Sequence, residues 1–215
     1  PVAGALAVDA HAGALAWIGS PGDVVLRVPV RGGVPTTIRE RAIFTDVDAS
    51  NGDVFVTEAR GDGGTLTRVT GATAAQLATF EGSPRGIVVD ATTGYVATSS
   101  RLLSSPRTRG ELDELAHGSA FASPALHDGW LYATASRPPE RARVVVRVRT
   151  TGGPLETVAT NVRDAPIALH RDALFWFDAD RPALLSASMT APRPSPPRVV
   201  SSDPIFERPS ALAVD

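Results

Sequence analysis

The sequence predicts an all-β fold, a β-propeller of four-stranded antiparallel blades, and three observations carry that prediction. The first is the hexapeptide Val-Asp-Ala-x-x-Gly, which stands at residues 8–13, 47–52 and 89–94. The second is a proline at Pro84, Pro124, Pro166 and Pro209, spaced 40 to 43 residues apart and followed each time by a short apolar run and an Asp. The third is an aromatic residue at one place in every repeat: Trp17, Phe55, Tyr95, Tyr132 and Trp176. A strand-rich repeat of about 40 to 45 residues marks propeller blades. Ala3 and Ala42 stand where the first two prolines would fall. The anchors divide 1–215, read as one propeller domain, into blades at 3–41, 42–83, 84–123, 124–165 and 166–208. Residues 209–215 repeat the first strand, as the start of a further blade.

Each repeat holds the same pieces in the same order. Strand A is the short apolar run after the anchor, such as Gly-Ile-Val-Val-Asp at 86–90. A tight turn follows, with Asp at its start and Gly near its end in three repeats. Asp bonds a backbone amide two residues on, and Gly supplies positive φ. Strand B carries the aromatic. Strand C alternates clearly in Val-Leu-Arg-Val-Pro-Val at 25–30 and Val-Val-Val-Arg-Val-Arg at 144–149, the period of a strand with one buried face. Glycines close the C–D connection at Gly32-Gly33, Gly71, Gly110 and Gly152-Gly153. Strand D is poor in large apolar residues, as suits an edge that must not recruit another strand. Residues 72–80 have helix-friendly composition, but their place in the repeat assigns them to strand D. The proline-rich stretch at 191–197 is expected to replace the C–D turn of the fifth blade with a stiff extended loop.

Composition narrows the function. The net charge is −2, so no broad pull toward nucleic acid or anionic membrane is implied. All 21 basic residues are Arg, which makes the cations permanent and favours bidentate pairing with carboxylates. With no Cys, disulfides, thiolate metal sites and Cys nucleophiles are excluded. No segment has the length of a transmembrane helix. The chain starts at Pro1 and closes on the opening strand of a repeat, so both ends are expected to be cuts, and a portion of a propeller with six or more blades is favoured over a closed ring of five.

The proline anchors, the aromatic strand B and the run Arg-Val-Pro-Val-Arg-Gly-Gly at 27–33 resemble the bacterial β-propeller superfamily of the TolB-like, NHL and YVTN repeat type. The resemblance covers nearly the whole chain. It implies the fold, an extracytoplasmic location (periplasmic, secreted or lipid-anchored), and a range of roles: sensors, scaffolds, and enzymes like virginiamycin B lyase or gluconolactonase. Fold alone does not choose among them.

Positions that break the repeat are better functional candidates than positions that obey it. His127 and His170 stand in strand A, where other repeats carry Ala7, Val88 and Ala213 and the second carries Asp46. Strand A is innermost in related propellers, so Asp46, His127 and His170 would converge near the central channel as metal ligands or an acid–base pair; the bland alternative is local hydrogen bonding between blades. The recurring Asp9, Asp48 and Asp90 are read as turn formers. A second set lies in the B–C loops (Glu58, Arg60, Asp62, Arg137, Glu140, Arg141, Asp178, Asp180, Arg181) and D–A loops (Glu40, Arg41, Arg85, Asp164, Glu207, Arg208). These loops share one face in propellers. A rim of both signs suits a protein or polar ligand; the alternative is ordinary solvated charge, worth little per pair. The ligand-binding set expected from this rim is Glu58, Arg60, Arg85, Arg137, Asp178, Asp180 and Arg208. Asp178 and Asp180 also invite a calcium reading, though no EF-hand pattern is present. Gly-x-Ser-x-Gly and Walker-type loops are absent.

The expected function is therefore a non-enzymatic, monomeric propeller that binds a protein or polar ligand on the B–C/D–A face, with no cofactor and with neither nucleic-acid binding nor membrane insertion. The alternative is a propeller enzyme, a lyase or lactone hydrolase, with one divalent metal ion near the channel.

Overall fold

Among the described residues, the alternation of apolar and polar side chains gives twenty strands, which hydrogen-bond into five four-stranded antiparallel sheets, and one 3-10 turn follows them. The structure is a computed structural model that describes residues 5–108, 110–137, 143–189, 195–207 and 212. The first sheet is β1 (Leu6–Asp9), β2 (Ala14–Gly19), β3 (Val24–Pro29) and β4 (Thr36–Glu40). The second is β5 (Ile43–Ser50), β6 (Asp53–Arg60), β7 (Gly63–Thr70) and β8 (Thr73–Glu81). The third is β9 (Pro84–Val89), β10 (Thr93–Thr98), β11 (Arg101–Pro106) and β12 (Asp113–His117). The fourth is β13 (Ala122–His127), β14 (Trp130–Ser136), β15 (Arg143–Arg149) and β16 (Glu156–Val162). The fifth is β17 (Ala168–His170), β18 (Ala173–Phe177), β19 (Ala183–Ser188) and β20 (Arg198–Ser202). Strands follow one another in space as in sequence, so every sheet is an A–B–C–D meander.

These sheets fall on the repeats read from the sequence. The helix-friendly stretch at 72–80 is strand β8, because its neighbours in the meander override its composition. β19 pairs with β20 on either side of the proline-rich stretch, of which 191–194 lie outside the described residues. Residues 209–215, expected to open a further blade, also lie outside them apart from Leu212.

Two compact units result, 1–114 and 115–215. In the first unit, the second sheet is buried on both faces. Val54 and Val56 pack toward Ala16, Ile18 and Val25 of the first sheet. Phe55, between them in sequence, packs on the other side with Ile87 and Val96 of the third. Successive side chains of a strand point to opposite faces, so a sandwiched strand reads as a continuous apolar run. The first sheet instead alternates: Ala14, Ala16 and Ile18 are buried, while Trp17 is half-buried and Leu6 and Val8 on its face are exposed. Trp17 thus departs from the expectation that every strand-B aromatic is core; Phe55, Tyr95, Tyr132 and Trp176 meet it. In the second unit, Tyr132, Val145 and Val162 of the fourth sheet pack against Leu174, Trp176 and Leu185 of the fifth.

Two A–B turns show the local chemistry. Asn51-Gly52 and Asp128-Gly129 both adopt positive φ (56° and 86°, 46° and 71°), the two-residue hairpin turn that matches strand twist.

Candidate binding rim and inner strands

The B–C turns and D–A connections lie at one end of each sheet, as the antiparallel meander dictates, and their main chains are laced together. In the first unit, Arg41 N–H donates to Asp23 O (3.0 Å), Phe44 N–H to Gly22 O (3.0 Å), Gly82 N–H to Asp62 O (2.9 Å) and Ser99 N–H to Ser83 O (3.1 Å). In the second, Ser136 N–H donates to Ser119 O (2.8 Å), Arg163 N–H to Phe177 O (2.9 Å) and Ala179 N–H to Asn161 O (2.9 Å). Each unit therefore has a rim whose backbone is held by groups that every residue type owns.

Glu58 and Asp178, expected as solvated ligand contacts, are instead buried and hold the rim from beneath. Glu58 is only 1% exposed. Its Oε1 accepts from Arg39 Nη2 (3.2 Å) and Thr67 Oγ1 (3.2 Å), and its Oε2 from Arg60 Nη2 (3.3 Å). A carboxylate taken from water needs such partners, and Arg39, from the outer strand of the first sheet, was not singled out in sequence because its partner lies nineteen residues away. Asp178 accepts through Oδ1 from Asn161 Nδ2 (3.1 Å) and the Asp180 amide (2.9 Å), and through Oδ2 from Arg181 Nη2 (2.8 Å). Burial alone would raise its pKa, but the Arg181 guanidinium and the amides hold it below the usual carboxylate value. Asp180 Oδ2 accepts from the same Asn161 side chain (2.9 Å). The pair is thus engaged in an Asn- and Arg-bonded turn.

Other rim residues are free to face solvent. Arg41 is 89% exposed at its side chain and Arg60 58%. Arg85, Arg137, Asp62 and Asp180 are exposed as well. Asp164 is exposed and pairs with Arg143 at 3.2 Å. Arg208, Glu140 and Arg141 lie outside the described residues.

The inner strands of the first unit are joined by carboxylates. Asp46 accepts the Val47 amide on Oδ1 (2.9 Å) and the Ile87 amide of β9 on Oδ2 (2.8 Å). Asp48, one pleat on, accepts the Ala49 amide (2.8 Å) and the Val89 amide (2.7 Å) in the same manner. Asp9 bonds the Ala12 amide in its own turn (2.9 Å) and the Gly52 amide of the next blade (2.6 Å). Asp90 serves its own turn through Thr92 and Thr93. The repeated Asp is thus more than a turn former: Asp9 does both jobs, and Asp48 only bridges. Withdrawal from water pushes the Asp46 pKa up to about 6 against the pull of its two amide bonds, and raises Asp48 as well.

His127 and His170 belong to the second unit. His127 Nε2 lies 3.3 Å from Asp172 Oδ1, in the A–B turn of the next blade. His170 is half-buried at the edge of a groove of about 430 Å3 on the fifth sheet, with Phe175, Ser186, Ser188 and Arg198. Among the described residues, no three His, Asp or Glu side chains are grouped as metal ligands would be. Also among them, no helix is long and apolar enough to cross a membrane.

The meanders define this chain as a β-propeller protein, and comparison with solved structures agrees. No protein-family model and no curated sequence matches it. Its fold is similar to a chain in the nidogen/laminin complex (TM-score 0.70, 15% identity, covering 90% of this chain and 78% of that one). It is also similar to TolB from Acinetobacter baumannii (TM-score 0.67, 11% identity, 86% and 51%). A third likeness is to an oligogalacturonate lyase in complex with manganese (TM-score 0.65, 10% identity, 87% and 62%). The chain spans about half to four-fifths of these proteins, and at such identities the likeness is one of fold.

Proposed function

We propose that this chain is a non-enzymatic β-propeller module that binds a protein partner or polar ligand through the B–C/D–A ends of its blades, in an extracytoplasmic setting. One observation supports the reading above others. Buried Glu58 and Asp178 and the main-chain lacing fix the rim loops, while Arg41 and Arg137 stand exposed on them and Arg60 and Arg85 at the adjoining strand ends. Loops fixed before contact lose little entropy on binding, and exposed Arg suits carboxylate-bearing partners. That nidogen is found in complex with laminin is in keeping with a propeller serving as a binding module.

The test is site-directed photo-crosslinking in the native host. A crosslinker at position 60, 85 or 137 should give one defined adduct that a crosslinker at Val34 does not, and Arg→Glu at the other two of these positions should abolish it. Adducts at Val34 alone would overturn the assignment of this end. Metal analysis separates the enzymatic alternative: stoichiometric metal lost in His127→Ala and His170→Ala would displace the binding-module reading.

A further inference from the structure

The outer strands of the five sheets differ in a way the fold does not require. β4 carries Arg39 and Glu40, β12 carries Asp113 and Glu114, β16 carries Glu156 and β20 carries Arg198. β8 reads Thr-Ala-Ala-Gln-Leu-Ala-Thr-Phe over 73–80, without charge or proline, before Glu81. Outer edges are normally protected by such residues, because alternate N–H and C=O groups point away from the sheet and are a template for another strand. Among the described residues, no backbone bond beyond the ladder with β7 uses residues 74–80.

A groove of about 480 Å3 runs beside this edge, with Gln76 to Thr79 on one side and Gly110 to Leu112 on the other. Leu77 is buried and Leu112 packs in the same apolar cluster, so the floor is anchored in the core. The ladder with β7 skips Leu77, a bulge between Gln76 and Ala78, so at about 3.3 Å per residue the edge accepts a bent strand of roughly six to eight residues. Among the described residues, carboxylates gather around the groove. Glu81 is 87% exposed, Glu111 and Asp113 are exposed, and Glu114 is 44% exposed. Arg101 beside them is already held by Glu81 (3.2 Å) and Glu114 (3.3 Å).

From the uncharged edge, the groove and these carboxylates together, we propose that β8 is a strand-addition site for an extended, basic peptide segment of a partner protein. Main-chain bonds to β8 supply the affinity, and the surrounding carboxylates select Arg- or Lys-bearing strands. This surface is separate from the B–C/D–A rim, so either assignment can fail without the other.

The probe is a fluorescein-labelled peptide in which Arg alternates with Val or Thr, titrated into the whole chain at low salt and followed by anisotropy. Saturable binding is expected, together with slowed amide exchange confined to 74–80. The double variant Gln76→Lys/Thr79→Lys, checked by its melting curve for an intact fold, should weaken binding at least about tenfold through like-charge repulsion. Methylating alternate peptide amides should abolish it. Binding indifferent to N-methylation or to the lysines overturns the proposal, as does no saturation up to about 1 mM peptide. A concentration-dependent dimer lost in Thr79→Lys also overturns it, by making a second copy the occupant.

Discussion

In the first unit, β1, β5 and β9 are tied by Asp9, Asp46 and Asp48, whose oxygens accept amide protons from the next sheet. In the second unit, β13 reaches the next blade through the His127 imidazole and Asp172, with Asp172 62% exposed. The first device places charge where water is scarce and satisfies it with backbone donors. The second leaves both partners within reach of solvent. The inner strands of neighbouring blades can thus be held by a desolvated carboxylate or by a hydrated pair at the strand's end, and the two should differ sharply in strength.

The largest effect is expected from Asp46→Ala/Asp48→Ala. Four amides (Val47, Ile87, Ala49, Val89) lose their acceptor, at a cost of about 3 kcal/mol after relief of the desolvated charge. Urea unfolding measures it, and faster exchange at Ile87 and Val89 localises it. An unchanged midpoint would sink the comparison. Next comes Asp178→Ala in the second unit, which frees Asn161, Arg181 and two amides. It should cost about 2 kcal/mol, with exchange rising at 178–181.

Acidity separates the two kinds of carboxylate. Because the Asp46 pKa is raised to about 6 in the fold, the native chain keeps a proton that the unfolded chain gives up. Its contribution is complete below the unfolded value of 3.8 and is lost as pH rises through about 6. The melting temperature should therefore climb by about 2–4 °C between pH 7 and pH 5, the shift that roughly 1 kcal/mol produces in a chain of this size. Asp46→Asn should remove that climb. Asp9, Asp90 and Asp178 are lowered, so their contributions are present above the unfolded value and vanish as pH falls further. A fall in melting temperature from pH 7 to 5 would contradict the Asp46 assignment. The smallest effect is expected from His127→Ala, whose partner is largely exposed: less than about 0.5 kcal/mol by urea unfolding.

The fold was legible because it is periodic. A strand-B aromatic marks each meander, Pro anchors and C–D glycines mark most of them, and β8 follows the period against its own composition. Direct side-chain partners were less legible because they lie one whole repeat away. Asp48 finds Val89 forty-one residues on, so the carboxylate that looks like a turn former in sequence proves to be a bridge. Glu58 and Asp178 read as surface charge because nothing in their neighbours announces burial; Glu58 takes Arg39 from another sheet, and Asp178 takes Asn161 from the preceding blade. The rim's position was legible, since it follows from strand order alone, whereas which charges face outward depends on pairings that only the folded chain reveals.

The lacing of the rim has a consequence for how this protein can change over generations. Arg41, Phe44, Gly82 and Ser99 hold the rim with peptide N–H groups, bonds that do not depend on the side chain, although Phe44 is buried in the core and Gly82 has a φ of 85° that favours glycine. The exposed side chains at these loops are therefore close to interchangeable, while the contour that carries them is not. A lineage built on this scaffold can exchange one partner for another by rewriting a few exposed residues, with the shape of the surface inherited intact.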